Sequence, residues 1–73
     1  MKLKKIHLQM NGEPFYLESF TYFTISDLLQ YFNFNKSLIV LEYNGKICIP
    51  LLWSKTIIKN NDKFDVITIV GGG

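Results

Sequence analysis

The stretch that decides the fold is residues 64–73, which read FDVITIVGGG. From Val66 to Val70 the chain is almost continuously apolar and rich in β-branched side chains, which is typical of a strand inside a sheet rather than at its edge. Three glycines follow at once, and they have no side chains to add to a core. We therefore expect a central strand, next to the first strand of the chain, that carries a short glycine tail (residues 71–73) out of a rigid domain.

The N-terminal segment predicts a β-hairpin. Residues 5–10 alternate between apolar and polar side chains, as in a strand with one face in water. Asn11-Gly12 is the strongest short signal for a two-residue hairpin turn, because both residues tolerate positive φ. A second strand is expected over residues 15–18, and Pro14 places it at the edge of the sheet.

The second half of the chain predicts another hairpin and a polar turn. Residues 38–43 form a strand, Asn44-Gly45 turns the chain, and residues 46–49 return it. A short helical turn is expected around Trp53. Residues 59–62 are a polar turn in which Asn61 can take a left-handed conformation.

A single helix is expected from about Thr24 to Phe32, where the apolar period changes from two to 3.6 residues. Thr24 is a good N-cap and Asp27 completes a capping box, while Asn33 is a suitable stop. The resulting order, β-β-α-β-β-β, predicts an α+β domain in which the helix covers one face of a mixed sheet of four to five strands.

Size and composition exclude several classes of protein. With 73 residues, 48% of them hydrophobic, and a net charge of +2, the chain is one ordered domain without room for a large catalytic cleft. The lone Cys48 cannot form an internal disulfide. The lysines are nearly offset by acidic residues and there is no arginine, which argues against nucleic acid. No apolar run approaches the roughly 18 residues that cross a bilayer, so we expect no membrane partner.

The glycine tail is the informative chemical feature. One interpretation is a frayed or engineered end. The functional interpretation is that a tail without side chains can thread through a narrow channel and present its terminal carboxylate to another protein's active site. Because a carboxylate is unreactive until it is activated, an ATP-dependent partner would have to adenylate it.

The sequence also resembles a known family. Residues 42–50, EYNGKICIP, then Trp53, then residues 61–73, NDKFDVITIVGGG, are similar to the ThiS family, the sulfur carrier proteins of thiamine biosynthesis, which have the β-grasp (ubiquitin-like) fold. The family has glycine before the aspartate of its acidic turn, whereas this chain has Asn61, which tolerates the same left-handed geometry. The resemblance implies a β-grasp domain over residues 1–70 followed by the tail.

The resemblance further implies a protein co-substrate rather than an enzyme, with no catalytic residues, bound cofactor or metal of its own. A ThiF-like adenylyltransferase would use ATP to adenylate Gly73, and a cysteine desulfurase would supply sulfur to form a thiocarboxylate. Gly71 and Gly72 would thread into the partner's active site, and the sulfur would pass to the thiazole synthase ThiG. The expected compartment is a bacterial cytoplasm or a plastid stroma.

Three other functions stay open at this point. The chain could be a related β-grasp sulfur carrier that serves molybdopterin or another thiolated product. It could be a ubiquitin-like protein modifier or interaction module, and more remotely a small nucleic-acid-binding domain.

Strand parity predicts a partner surface. If Asp65 and Glu42 point to solvent and their strands are neighbours, the same exposed face carries Leu38, Val40, Ile67 and Ile69. We call these four residues the sheet-face patch. An exposed apolar patch that leads to the tail is typical of a protein contact, although a homodimer face or a strand buried on both sides would have the same pattern.

The remaining distinctive residues are predicted to be structural. Trp53 is expected to cap the core and Cys48 to be an inert apolar residue. His7 lies on the wet face of its strand without an evident catalytic partner. Asp62 and Asp65 are expected to be solvated or paired with lysines.

Overall fold

The computed structural model of the chain describes residues 2–69. Within this range the chain forms a five-stranded mixed sheet, in the order β2-β1-β5-β3-β4, with a helix packed on one face. The elements are β1 Lys4–Met10, β2 Glu13–Ser19, α1 Ile25–Tyr31, β3 Ile39–Tyr43, β4 Lys46–Ile47 and β5 Asp62–Thr68, with 3-10 turns at Lys36–Leu38 and Pro50–Leu52. The predicted α+β class and β-grasp order are confirmed.

The last strand lies in the centre of the sheet, as its apolar run predicts. β5 is parallel to β1, with Leu8 opposite Asp62, and antiparallel to β3, with Val40 opposite Ile67. β2, which contains Pro14, is an edge strand. The edge position is tolerable for Pro14 because an outward-facing strand edge needs no donor there.

Both asparagine-glycine pairs form tight hairpin turns with positive φ at both residues. The φ angles are 52° and 81° at Asn11 and Gly12, and 52° and 84° at Asn44 and Gly45. These values match the type I′ turn, whose twist suits the flanking strands. Asn61 also lies in the left-handed region, with φ of 70°, so the predicted turn geometry is confirmed there as well.

The helix begins and ends at the predicted signals. Thr24 Oγ1 accepts a hydrogen bond from the Asp27 amide at 3.1 Å, and Asp27 Oδ2 accepts one from the Thr24 amide at 2.9 Å. This reciprocal capping box satisfies two backbone donors. At the other end Asn33 has φ of 60° and the Phe34 amide donates to the Leu29 carbonyl, which is the Schellman arrangement.

The core lies between α1 and the inner face of the sheet. Its fully buried side chains, at under 2% exposure, are Ile25, Leu28, Leu29, Leu41 and Phe64. The side chains of Ile39, Leu41, Phe64 and Val66 are all buried, so β3 and β5 turn alternate residues towards the helix. On the outer face of the sheet, Ile47 and Ile67 are exposed.

Two strands are shorter than their patterns predict. β4 ends at Ile47 instead of Ile49, because the Cys48 carbonyl accepts a hydrogen bond from the Trp53 indole at 2.8 Å and the chain then enters a 3-10 turn at Pro50. β3 begins at Ile39 because the preceding 3-10 turn, which includes Leu38, is capped by the side chain of Asn35.

Candidate functional site

The end of β5 is held mainly by β3. Pairing with β1 reaches Met10 opposite Phe64, whereas pairing with β3 continues to Thr68. The Ile69 amide then donates to the Leu38 carbonyl at 2.7 Å. The described chain is thus anchored up to its last residue, Ile69. Val70 and the predicted functional residues Gly71, Gly72 and Gly73 lie outside the described residues.

The Asn11 side chain extends the support of β5 beyond the end of β1. Its Oδ1 accepts a hydrogen bond from the Val66 amide at 2.7 Å, and the Asn11 amide donates to the Phe64 carbonyl at 2.8 Å. The hairpin turn therefore supplies hydrogen bonds to β5 that the neighbouring strand no longer provides.

The sheet-face patch lies on the outer face of β3 and β5, next to this anchored end. Leu38, Ile67 and Ile69 are 44%, 51% and 48% exposed, while Val40 is half-buried and directly opposite Ile67. The structure thus brings the four predicted residues together on one exposed surface. That this surface binds a partner stays a prediction.

Sequence reasoning missed an extension of this patch across β4. Ile47 is the cross-strand partner of Glu42 and is 69% exposed, and Ile49 is 51% exposed. The signal was present in the sequence, because in a hairpin closed by Asn44-Gly45 both isoleucines share the outward parity of Glu42. With them, the exposed apolar surface spans three neighbouring strands.

An acidic pair interrupts this apolar surface. Glu42 and Asp65 are direct cross-strand partners on β3 and β5. Glu42 is half-buried and Asp65 exposed. Like charges directly opposite each other destabilise a sheet by a few tenths of a kcal/mol or more, so stability gives no reason for this arrangement.

The prediction that Asp62 is solvated or paired with a lysine ammonium is wrong. Asp62 is 6% exposed, and its carboxylate accepts hydrogen bonds from the Tyr43 hydroxyl at 2.7 Å, the Asn44 side-chain amide at 3.1 Å and the Lys59 backbone amide at 2.7 Å. These donors offset its desolvation. The carboxylate fastens the β3–β4 turn to the start of β5, which is a structural role.

The same contact perturbs Tyr43. Burial, followed by the hydrogen bond to the Asp62 carboxylate and the charge of that group, raises the pKa of Tyr43 to about 12. Each cause disfavours the phenolate. Tyr43 therefore stays a neutral donor throughout the physiological range.

Trp53 and Cys48 belong to the core, as predicted. Both side chains are buried, and the Trp53 indole hydrogen bond to the Cys48 carbonyl satisfies the buried ring nitrogen. Burial raises the pKa of the Cys48 thiol. A buried thiol that resists deprotonation is a poor nucleophile.

His7 is exposed at the far end of the outer face. Its ring packs against Tyr16 with centroids 4.4 Å apart, and it lines a shallow pocket with Gln9 and Lys63. Since β5 runs from Asp62 towards the tail, this pocket and the patch lie at opposite ends of the strand. The pocket is therefore poorly placed to serve the tail.

Within 2–69 no cluster of three or more histidine, cysteine, aspartate or glutamate side chains could hold a metal ion. No helix in that range is long and apolar enough to cross a membrane.

Comparison with known proteins decides the family. The sequence model of the ThiS family matches residues 8–73. The chain belongs to the ThiS family. The match runs through the β-grasp domain, the end of β5 and the glycine tail.

Sequence relatives of this ThiS family member come from algae. The chain is 50% identical over 64 residues to a protein of Trieres chinensis named uncharacterized protein ycf40, covering 88% of this chain and 85% of the relative. It is 40% identical over 70 residues to the protein of the same name in Porphyra purpurea, covering 96% of each chain. The similarity therefore extends over nearly the whole length of each protein.

Solved structures share the fold. The crystal structure of the thiamine biosynthesis protein ThiS from Geobacter metallireducens superposes with a TM-score of 0.80 at 22% identity, covering 93% of this chain and all (100%) of that chain. A solution structure of a thiamine biosynthesis protein from the same organism gives a TM-score of 0.76, covering 93% and 88% of the two chains. These likenesses establish the β-grasp fold.

Proposed function

We propose that this ThiS family member is a sulfur carrier protein of thiazole biosynthesis, a co-substrate on which partner enzymes act. The observation that carries the proposal is the match of the family model through the last residue, Gly73. The central position of β5 supports it, because a strand paired in the sheet gives the tail a rigid base. A glycine tail carried by such a strand can enter a partner's active site while the domain stays folded.

The proposed chemistry takes place on the Gly73 carboxylate. A ThiF-like enzyme joins this carboxylate to the α-phosphate of ATP and releases pyrophosphate. A persulfide sulfur that originates from a cysteine desulfurase then displaces AMP and forms an acyl disulfide. A thiol reduces the S–S bond of this acyl disulfide and is itself oxidised to a disulfide, leaving a C-terminal thiocarboxylate that delivers its sulfur to thiazole synthase. Activation is needed because a carboxylate is a poor electrophile and AMP is a good leaving group.

The sheet-face patch, with its extension at Ile47 and Ile49, is the proposed docking surface for these enzymes. It is exposed, apolar and continuous with the strand that leads to the tail. An exposed apolar area of this kind marks interaction sites. Charged substitutions at Ile67 and Ile69 are expected to block adenylation while leaving the domain folded, and undiminished adenylation would contradict this role.

We place the protein in a plastid stroma. The relatives named ycf40 come from plastid-bearing algae, which favours the plastid over a bacterial cytoplasm. The biased composition, with eight lysines and no arginine or alanine, is consistent with coding in an AT-rich genome.

The deciding experiment is an intact-mass measurement. The protein is incubated with ATP, a ThiF-like enzyme, a cysteine desulfurase and cysteine, and one oxygen is expected to be replaced by sulfur at the C-terminus. A variant lacking Gly72 and Gly73 is the matched control, which should fold but stay unmodified. A C-terminus that stays unmodified while a bacterial ThiS is converted in the same mixture would refute the proposal.

The thiazole step needs its own readout. Purified thiocarboxylate is mixed with thiazole synthase and its other substrates, and thiazole product is expected together with return of the carboxylate mass. If the thiocarboxylate forms but no thiazole appears with a synthase that is active with its own carrier, the chain is a carrier for another thiolated product.

A further inference from the structure

The acidic pair, Glu42 and Asp65, lies among apolar side chains of the proposed docking surface. Two residues further along β5, the next outward-facing cross-strand pair is Ile67 and Val40. On β4, which lies on the opposite side of β3 from β5, the cross-strand partner of Glu42 is Ile47. A partner that covers the isoleucines and the valine must therefore also cover at least part of both carboxylates.

Covering carboxylates without a counter-charge is unfavourable. Each loses its hydration, and the two already repel each other across the strands. Lys63 has the outward parity of Asp65 and lies two residues before it on β5, at the end of the face away from Ile67. On the side of the acidic pair that borders Ile67 and Val40, β3 and β5 therefore contain no lysine or arginine.

We propose that the adenylating enzyme places a basic side chain, of which arginine fits best, between Glu42 and Asp65 when it docks on the sheet-face patch. This inference rests on the proposed function. A guanidinium offers several donors in one plane and can bond two carboxylates at once, which a lysine ammonium does less well. The acidic pair would then select the partner and set its register, while the patch supplies the buried apolar area.

The same charges disfavour a second copy of this chain as the occupant. A two-fold contact centred on the patch would bring two acidic pairs, four carboxylates in all, into one interface. No cation of β3 or β5 beyond Lys63 accompanies them. Such an interface would carry repulsion where a heterologous partner can carry a salt bridge.

The test uses the full-length protein and the ThiF-like enzyme. Glu42→Gln and Asp65→Asn are made singly and together, and the dissociation constant, the association rate and their salt dependence are measured. The matched control is Glu18→Gln, which removes the same charge on the far strand β2, opposite Lys5. Thermal unfolding of each variant shows whether the fold is kept.

The double variant is expected to bind about tenfold or more weakly than the wild type, with a smaller salt dependence of the association rate. Its thermal stability should be equal or higher, because the cross-strand repulsion is removed. Glu18→Gln should leave binding within about twofold. Weaker binding without a loss of thermal stability shows that the acidic pair has a recognition role and not a structural one.

Three results would overturn the inference or its premise. If the double variant binds like the wild type while the wild type is converted to the thiocarboxylate, the inference is wrong and the proposed function stands. If the wild type itself is neither bound nor modified, the proposed function fails first. If the wild type forms a dimer that charged substitutions at Ile67 disrupt, the surface is a self-association face and the inference is wrong.

Discussion

Asp62→Asn, which replaces one carboxylate oxygen by an NH₂ group, is expected to destabilise this domain strongly. In the wild type, Oδ2 accepts from both the Tyr43 hydroxyl and the Lys59 amide, and Oδ1 accepts from the Asn44 side-chain amide. An asparagine has only one acceptor oxygen. If that oxygen keeps the first two donors, its NH₂ group faces the NH₂ group of Asn44.

Asn44 cannot turn its amide over to relieve this conflict. Its Oδ1 already accepts a hydrogen bond from the Lys63 backbone amide at 2.8 Å. Asp62→Asn therefore loses a charge-assisted hydrogen bond and leaves two amide donors opposed, at a cost of about 2–3 kcal/mol. A domain of this size has a net stability of only about 3–5 kcal/mol, so the variant retains little of it.

Urea unfolding followed by the fluorescence of Trp53, the single tryptophan, measures this effect. With a denaturant slope of about 1 kcal/mol per molar for a small protein, the midpoint should fall by about 2–3 M. The control is Asp65→Asn, the same substitution on an exposed carboxylate of the same strand, which should keep or slightly raise the midpoint. Equal midpoints for the two variants would refute the assignment of Asp62 as a buried structural anchor.

Three further predictions concern the cap, the buried tyrosine and the buried thiol. Thr24→Ala removes one half of the capping box and should lower the free energy of unfolding by about 1 kcal/mol in the urea assay, and an unchanged midpoint would contradict the cap. Because the folded pKa of Tyr43 is raised from 10.0 to about 12, its protonation contributes stability that is fully present below pH 10 and is lost as the pH rises to about 12. Tyr43→Phe should therefore show a smaller fall in stability across that interval, and parallel pH profiles would exclude the linkage. Cys48 should react with a thiol reagent far more slowly in the native protein than in urea, and equal rates would show that it is not buried.

Local geometry was predictable wherever neighbouring residues are sufficient to set it. Asn11-Gly12 and Asn44-Gly45 form their turns because few residues adopt positive φ at two successive positions. Thr24 and Asp27 close the capping box within three residues. Even the central position of β5 followed from its composition, since a strand covered by neighbours and packed on a helix favours an apolar, β-branched run.

The structure differs from the sequence-based predictions where residues distant in sequence form hydrogen bonds to the same segment. The sequence around Asp62 is that of a polar, solvent-exposed turn, yet the aspartate is buried because Tyr43 and Asn44 approach it from a hairpin 19 and 18 residues earlier. β4 ends early because the Trp53 indole donates a hydrogen bond to the Cys48 carbonyl. Neither contact leaves a periodic signal, so pattern analysis could not detect it.

The features of the candidate site also separate into those that the sequence determines and those that the tertiary structure determines. The sequence by itself determined the glycine tail, the strand that carries it and the outward parity of Leu38, Val40, Ile67 and Ile69, because parity needs only a backbone that alternates and one reliable reference residue. Only the tertiary structure decided that β3 lies beside β5 and that Glu42 faces Asp65. Those facts depend on strand order and register, which are set by the packing of the whole sheet on its helix and not by any single segment of the chain.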